Sequence, residues 1–493
     1  MNTSIEKKVY DYKPDAVRST IVQALRKKHG EATVADVIAA TGLPKYQVET
    51  EMPALVDEYN GRLRVTDSGE ILFSFPHGFT SRYRGLGVTL KKIFSAVKKG
   101  VKAIAVFLFK AWIMVMLVGY FVFFVALALL AVFASFAGSS SSRRDNRSSS
   151  SGAGGFLAVR VIELIVRIWF YSELFKTPEE RASDYYRRQE AKRNSRPLHK
   201  AIFSFVFGEP DVNKDHDVLL KKIFVAMVRM KKGIITIEDF IALTGLSPES
   251  AEQAICRYLY EFEGSPEVSE DGTLYYDFSK LLVRLDTEKS INTVSAFKKL
   301  QPFSGNNKKS NTTFAVINGV NLIFGSYFLF QALQYDPAMI KTEFSYFFYF
   351  TFKLFASFGV ENPLAVITWV LGAVPFVFSL LFWIVPAVRS LLLKHSNEAI
   401  KVENARRYVY TQLAHAPIEL DESIFNDAPV FAVPDSQNIK KVLMETAVYE
   451  KADVSENGKY ILTDYGRRYK DIESLRAKKI VTGPGSVIFD SES

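Results

Sequence analysis

The chain has 493 residues, 48% hydrophobic and 23% charged, with a formal net charge of +9, a length that accommodates several domains. One cysteine, Cys256, excludes an intrachain disulfide framework and a cysteine-cluster metal site, and the six histidines lack HxxxH-type partners, which argues against a zinc or di-iron centre. A positive balance suits nucleic acid or a membrane surface, and its distribution along the chain decides between them.

The start, MNTSIEKKVYDY, is polar and has no signal-peptide core, so the first domain is expected to stay on the side of synthesis. At 41–59, TGLPKYQVETEMPALVDEY predicts a helix whose core face is Val48, Met52, Leu55 and Val56. NGRLRVTDSGEILFSF follows and predicts a hairpin turned at Ser-Gly. Residues 81–110 then carry Arg82, Arg84, Lys91, Lys92, Lys98, Lys99, Lys102 and Lys110 and no acid. Residues 111–137 hold no charge over 27 positions, more than the about 20 that cross a bilayer, so they predict a transmembrane helix. The positive-inside rule puts the preceding domain in the cytoplasm. Lys91, Lys92, Lys98, Lys99 and Lys102 are placed against anionic lipid.

A Ser/Gly-rich linker at 138–155 leads to FLAVRVIELIVRIWFYSELF, 156–175. Here Arg160, Glu163 and Arg167 share one helical face. If the segment spans, this face turns to protein or water; if it lies in the interface, the same stripe is its wet side. KTPEERASDYYRRQEAKRNSRPLHK, with eight basic and four acidic residues, reads as cytoplasmic. Residues 313–335 and 364–388 are uncharged and of spanning length, the latter with Pro375 and Pro386 as expected kinks. Between them, 336–363 holds two basic and three acidic residues. That stretch reads as the outer connection, its aromatic part (344–358, interrupted by Lys353) at or dipping into the interface. Arg389, Lys394, Lys401, Arg406 and Arg407 return the chain to the cytoplasm. Four spans in two hairpins satisfy these flanks, whereas five would strand the C-terminal domain outside.

Residues 29–75 align without a gap to 232–278. Gly30/Gly233, Thr33/Thr236, Asp36/Asp239, Thr41/Thr244, Gly42/Gly245, Leu43/Leu246, Gly61/Gly264, Val65/Val268, Gly69/Gly272 and Phe75/Phe278 coincide. Each copy reads helix, short strand, helix, T-G-L turn, helix, hairpin, a pattern that resembles the winged-helix superfamily. A third, degraded copy is expected at 402–466: first helix VENARRYVYTQLAHA, strand and second helix in PIELDESIF, third helix SQNIKKVLMETAVYE, wing KADVSENGKYILTDY. Its NDAPVFAVPD interrupts the T-G-L turn.

DNA reading needs cations at phosphates and Arg, Lys, Asn or Gln at base edges, concentrated on the last helix of such a module. In the first copy Glu49, Glu51, Asp57 and Glu58 face only Lys45; in the second Glu249, Glu252 and Glu261 face only Arg257. In the third, Lys440 and Lys441 are offset by Asp435, Glu445 and Glu450. Nucleic acid is therefore an improbable partner. Lys45, Glu49, Glu51, Glu249, Glu252 and Arg257 are instead candidate protein-contact residues.

No phosphate loop is present, since RYRGLG and TGPGS lack its spacing and context, and no nucleophilic triad can be argued. The chain is expected to be non-enzymatic, without cofactor or metal. Within the membrane the candidate polar site is Arg160, Glu163, Arg167, Asn318 and Asn321. Asn318 and Asn321, like Gln331 and Gln334, suit helix-to-helix hydrogen bonding or a solute path, and Gly319 and Gly325 would let another helix approach.

ILFSFPHGFTSRYRG, SSSSRRDNRSSSSGAGG and HKAIFSFVFGEPDVN together resemble an uncharacterised membrane-protein family of cyanobacteria and plastids, over roughly the first half of the chain. Some plant members carry a label linking them to iron–sulfur cluster biosynthesis. A cluster is normally held by several thiolates, and Cys256 is one, so the resemblance contributes membrane location and no active site.

The expected architecture is a multidomain membrane protein in which α+β winged-helix cytoplasmic modules, two clear and one degenerate, alternate with α-helical transmembrane hairpins. Its parts are winged helix 1 (1–80), a basic juxtamembrane segment (81–110), hairpin 1 (111–175), a basic helical connector (176–217) and winged helix 2 (218–290). A linker (291–312), hairpin 2 (313–388), degenerate winged helix 3 (389–470) and a flexible tail (471–493) complete it. The expected setting is a bacterial cytoplasmic membrane, both termini inside, with the lipid bilayer and an unknown protein or a second copy as partners. The expected role is a scaffold or assembly protein. A membrane-tethered transcription regulator and a small-solute transporter or channel component are the alternatives.

Overall fold

A computed structural model describes residues 12–28, 30–67, 69–80, 86–139, 196–282, 296–336, 345–414, 419–480 and 487–491. The molecule is mostly helical with small antiparallel sheets. It divides into two compact units, one of Met1–Lys91, Asp211–Gln301 and Lys394–Ser493, the other of Lys92–Pro210 and Pro302–Leu393. The three hydrophilic stretches of the sequence thus fold together, and so do the two apolar ones.

The first hydrophilic stretch runs α1 (Pro14–Lys27), β1 (Glu31–Thr33), α2 (Val34–Thr41), α3 (Lys45–Tyr59), β2 (Arg62–Thr66) and β3 (Ile71–Ser74). Thr33 and Asp36 form a reciprocal capping box that starts α2. Gly42 ends it with φ +72, a left-handed conformation that a Cβ disfavours. Val48, Met52 and Leu55 are buried as the apolar spacing requires, while Val56 is half-buried.

The chain then enters the apolar unit with α4 (Leu86–Met114), a π-helical turn (Val115–Gly119), α5 (Tyr120–Ser139) and the short α6 (Leu198–Phe207). The basic segment is therefore helical from residue 86 and continuous with the apolar helix, where the sequence suggested a separate juxtamembrane piece.

The second hydrophilic stretch has α7 (His216–Met230), β4 (Ile234–Ile235), α8 (Ile237–Thr244), α9 (Pro248–Phe262), β5 (Ser265–Val268) and β6 (Leu274–Asp277). It reuses the devices of the first: a Thr236–Asp239 capping box, and a left-handed Gly245 at φ +67. Asn60 and Glu263, at equivalent positions, both end a helix at φ 53.

Next come α10 (Lys308–Leu333), α11 (Tyr346–Ser357), α12 (Pro363–Val366), a π-helical stretch (Ile367–Ala373) and α13 (Val374–Leu413). Among the described residues, three helices are long and apolar enough to cross a membrane: Gly100–Ala134, Lys308–Leu333 and Pro363–Leu413. Pro386 lies inside α13 without ending it. The expected span at 156–175 lies outside the described residues. Within the apolar unit, α10 meets the π-helical stretch backbone to backbone. A Cβ at Gly325 would stand 2.9 Å from the Phe376 nitrogen, and one at Gly372 would stand 2.9 Å from Leu329 Cα. Small residues permit this approach where side-chain burial supplies no drive in lipid. Gly319, expected to play a similar part, faces no atom within 4 Å.

The last stretch has β7 (Glu419–Leu420), two 3-10 turns (Glu422–Phe425, Val430–Ala432), α14 (Ser436–Tyr449), β8 (Asp453–Val454), β9 (Tyr460–Ile461), α15 (Thr463–Lys478) and β10 (Val487–Asp490). The expected second helix of this copy is reduced to the 3-10 turns, because PIELDESIF and the Pro-containing NDAPVFAVPD supply no long apolar repeat. The expected flexible tail 471–493 is also corrected. Helix α15 continues to Lys478, and β10 pairs antiparallel with β2. Its side chains are largely exposed, so β10 is held by main-chain bonds and by Arg64 Nε donating to Asp490 Oδ2 at 2.7 Å.

Sheet order is β1-β3-β2-β10 in the first stretch, β4-β6-β5 in the second and β7-β9-β8 in the third. Buried residues from all three, from Val17 through Phe278 to Tyr465, join one apolar cluster. Deleting residues 481–493 should leave that cluster intact but speed amide exchange along the outer edge of β2. The Leu63 N–H, which now donates to Ser491 Oγ, is the site to follow; unchanged protection there would contradict the pairing.

Candidate functional site

Of the contact residues expected from sequence, Lys45, Glu51 and Glu252 tie elements of the hydrophilic unit to one another. Lys45 Nζ, on α3, lies 2.7 Å from Glu263 Oε2 and 3.4 Å from Glu49 Oε1. Lys45, against an opposing contribution from burial and with help from Lys280, keeps the Glu263 carboxyl below its usual range. The Tyr46 and Tyr260 rings sit 5.8 Å apart beside this pair. Helices α3 and α9 therefore face each other.

Glu51 departs from its expected role as a surface contact. It is buried at 4% exposure, accepting from Tyr12 Oη at 3.0 Å and Arg18 Nε at 2.5 Å, and so ties α1 to α3. Glu252 accepts from Tyr449 Oη on α14 at 2.8 Å. Arg257 pairs with Glu261 on its own helix at 2.7 Å, and Glu249 is exposed.

Sequence reasoning missed the most concentrated ionic joint. One face of α15 and its end carries Arg468, Asp471, Arg476 and Lys479, and each engages the second stretch. Arg468 Nη1 donates to Glu238 Oε1 at 2.6 Å, and Nη2 donates to the fully buried Glu450. Arg476 donates to the Ile234 carbonyl at 2.9 Å and to Asp239. Ser269 Oγ donates to Asp471 at 2.5 Å, and Lys479 Nζ lies 2.7 Å from Asp277 Oδ1. Burial, and then the Glu238 charge, push the Glu450 carboxyl up, with Arg468 opposing them. Burial acts the same way on Asp239, but Arg476 and Lys231 outweigh it and leave that carboxyl below its usual range. The 468–479 spacing is a helix-face pattern, and that was the one available signal.

Within the apolar unit, Asn318 and Asn321 are fully buried. Asn318 Nδ2 donates to the Ser379 carbonyl at 2.9 Å, and Asn321 Nδ2 to the Leu117 carbonyl at 2.8 Å. Leu117 lies in the π-helical turn, where the regular helix ladder is broken. Both amides thus bridge helices, and their Oδ1 atoms and Ser379 Oγ have no hydrogen-bond partner among the described residues. Replacing Asn321 with leucine should cost about 0.6–2 kcal/mol in bundle stability, measured by thermal unfolding in detergent. A gain in stability would show that the amide does not serve packing.

Arg160, Glu163 and Arg167 lie outside the described residues. Lys91, Lys92 and Lys99 are carried on α4, and Lys98 and Lys102 are exposed there. No group of three or more His, Cys, Asp or Glu residues is placed to hold a metal among the described residues. Cys256 is exposed and single.

Set against known proteins, the chain is similar to an uncharacterised chloroplastic protein of Arabidopsis thaliana. The two are 21% identical over 280 residues, which cover 55% of this chain and 50% of the relative. The chain thus spans about half the length of the curated relative it matches. No family model and no solved structure matches it. Distant kinship to a plastid-type protein accompanies three helices fit to cross a membrane.

Proposed function

We propose that the chain is an integral membrane scaffold or assembly protein whose hydrophilic unit is three fused winged-helix modules used for protein contact. The observation that carries this reading is the mutual engagement of α3 and α9, the helices that would read DNA, through Lys45–Glu263 and Tyr46–Tyr260. A groove-reading helix needs a free, cationic face, and these are acidic and occupied. The equivalent helix of the third module, α14, instead exposes Met444 and Val448, one turn apart, at 60% and 69%, with Val454 of the adjoining strand at 68%. An exposed apolar stripe of this kind suits a protein partner.

The topology proposed here rests on parity for sidedness and on the basic flanks for orientation. Three stretches that share one core lie on one side of a bilayer, so each apolar excursion between them crosses an even number of times. Helices α10 and α13 make a pair, and 156–175 is the sequence stretch of suitable length to partner the 100–134 helix. The positive flanks favour the cytoplasmic face of a bacterial membrane, with both termini inside.

A photo-crosslinking residue at Met444 or Val448 of the full chain in native membranes should give one discrete protein adduct, identified by mass, that the same residue at Glu249 does not give. A salt-sensitive, sequence-specific DNA complex of the solubilised chain, with no such adduct, would overturn the reading. Solute passage is the second reading, favoured by the unpartnered Oδ1 atoms of Asn318 and Asn321. It requires flux in proteoliposomes that Asn318→Leu abolishes without unfolding the bundle.

A further inference from the structure

The hydrophilic unit contains a cleft of about 870 Å³, a size suited to a small amphiphilic ligand. Val212, Leu219, Phe297 and Phe431 give it apolar walls, and Lys214 and Lys299 stand at its margin. One wall is an extended segment, 297–301, fixed by three asparagine amides that imitate a neighbouring strand. Asn213 accepts from the Lys299 N–H at 3.0 Å and donates to the Lys299 carbonyl at 2.8 Å. Asn404 does the same at Lys298 (3.0 and 2.9 Å), and Asn397 at Gln301 (2.8 and 2.9 Å). Asn404 also donates to the Phe431 carbonyl at 3.0 Å, so both sides of the cleft are held before any ligand arrives.

The floor has unused polar capacity. Helix α7 begins at His216, its N-cap Asp215 makes no side-chain cap bond, and its first-turn amides form an anion-attracting end. His216 lines the cleft at 6% exposure, and its Nε2 has no hydrogen-bond partner among the described residues. Burial, followed by the charges of Arg407 and Lys298, pushes its imidazole down to about 4, against the pull of Asp217 and Glu403, so the ring is neutral near pH 7. Lys298 is committed to Glu403 at 2.5 Å, but Lys214 and Lys299 have no ion-pair partner among the described residues. Asp211 turns its carboxylate to the Asn213 N–H at 2.9 Å.

We propose that this cleft binds a membrane phospholipid, its phosphate at the His216 end of α7 between Lys214 and Lys299 and part of an acyl chain along the apolar walls. The membrane is the source because the lining segment ends at Gln301, seven residues before the apolar helix that starts at Lys308. A tether that short spans at most about 25 Å.

The test uses the full chain in a non-ionic detergent, with dihexanoyl phosphatidylglycerol, glycerol phosphate and inorganic phosphate as probes. Native mass spectrometry should show one retained lipid. The Lys214→Glu/Lys299→Glu variant, altered at exposed positions, should bind it about an order of magnitude more weakly. The His216 ring, labelled and assigned by loss of its signal in His216→Gln, should titrate at higher pH with lipid bound, because a nearby phosphate favours the imidazolium. Equal lipid binding by the double variant, or a His216 titration indifferent to lipid, would overturn the assignment. Saturation by glycerol phosphate or inorganic phosphate as tightly as by the lipid would overturn its lipid part. The lipid site and the protein-contact reading fail independently, because the crosslinking positions Met444 and Val448 do not line the cleft.

Discussion

Arg468→Met should destabilise the hydrophilic unit by about 3–5 kcal/mol, because it leaves the buried Glu238 and Glu450 side by side without the guanidinium that hydrogen-bonds both. The guanidinium donates to Glu238 and Glu450, which are 8% and 0% exposed, and lies 3.5 Å from Asp464. Urea unfolding of the detergent-solubilised chain measures the loss. Adding Glu450→Gln to the variant should recover part of it, since the quarrel between the carboxylates then ends. Full additivity of the two substitutions would show that the groups are not coupled. The joint also has a pH signature. Glu450 in the folded chain binds its proton more tightly than its ordinary value of 4.5 implies, so the folded state holds more protons than the unfolded one above that pH. Its contribution is fully favourable at low pH and declines as pH rises through the raised range. Glu450→Gln should flatten that decline, and an unchanged slope would contradict the assignment.

Gly245→Ala should be the most damaging change at a single glycine. The residue ends α8 at φ +67, and a Cβ there would overlap the Glu403 carbonyl and approach Arg407 Cγ and Cζ to 3.0 Å. Arg407 cannot yield, since it is 1% exposed and donates to the carbonyls of Leu243 (3.1 Å) and Thr244, capping the end of α8 from α13. Left-handed strain and overpacking against backbone together should cost about 2–4 kcal/mol. Gly272→Ala is the control, with φ +82 but no atom within 4 Å. It should cost only the left-handed strain, about 1–2 kcal/mol. Equal losses in thermal unfolding would mean that the contact with α13 contributes nothing.

Local chemistry was legible in the residues. Gly42 and Gly245 end helices at the T-G-L turns read from the repeat, and uncharged runs of spanning length became long helices; the Thr33/Asp36 and Thr236/Asp239 caps went unread, although both pairs coincide in the repeat. Pairings between distant segments were not legible. Val487–Asp490 has too few residues to announce a strand, and its partner edge on β2 is set by the tertiary fold. Glu51 looks like its exposed neighbours Glu49 and Asp57, and only the positions of Tyr12 and Arg18 make it an internal anchor. The joint at Arg468 and Arg476 was hidden for the same reason, as its carboxylates come from 18 to 237 positions away. The cleft depends on Asn213, Asn397 and Asn404, three residues that in sequence look like ordinary turn or surface positions.

The pairing of β10 with β2 also constrains the order of biosynthesis. Arg64 and Asp490, 426 positions apart, meet across that pairing, so β2 emerges from the ribosome long before its neighbour exists. Throughout that interval its outer edge offers unpaired amides and carbonyls to any passing strand. A nascent chain that stalls, or that fails to insert an apolar stretch and so cannot bring its segments together, keeps the edge open. Only a copy translated through Asp490 can seal it, which makes an exposed β2 edge a mark of molecules still lacking β10 that chaperones and proteases can read.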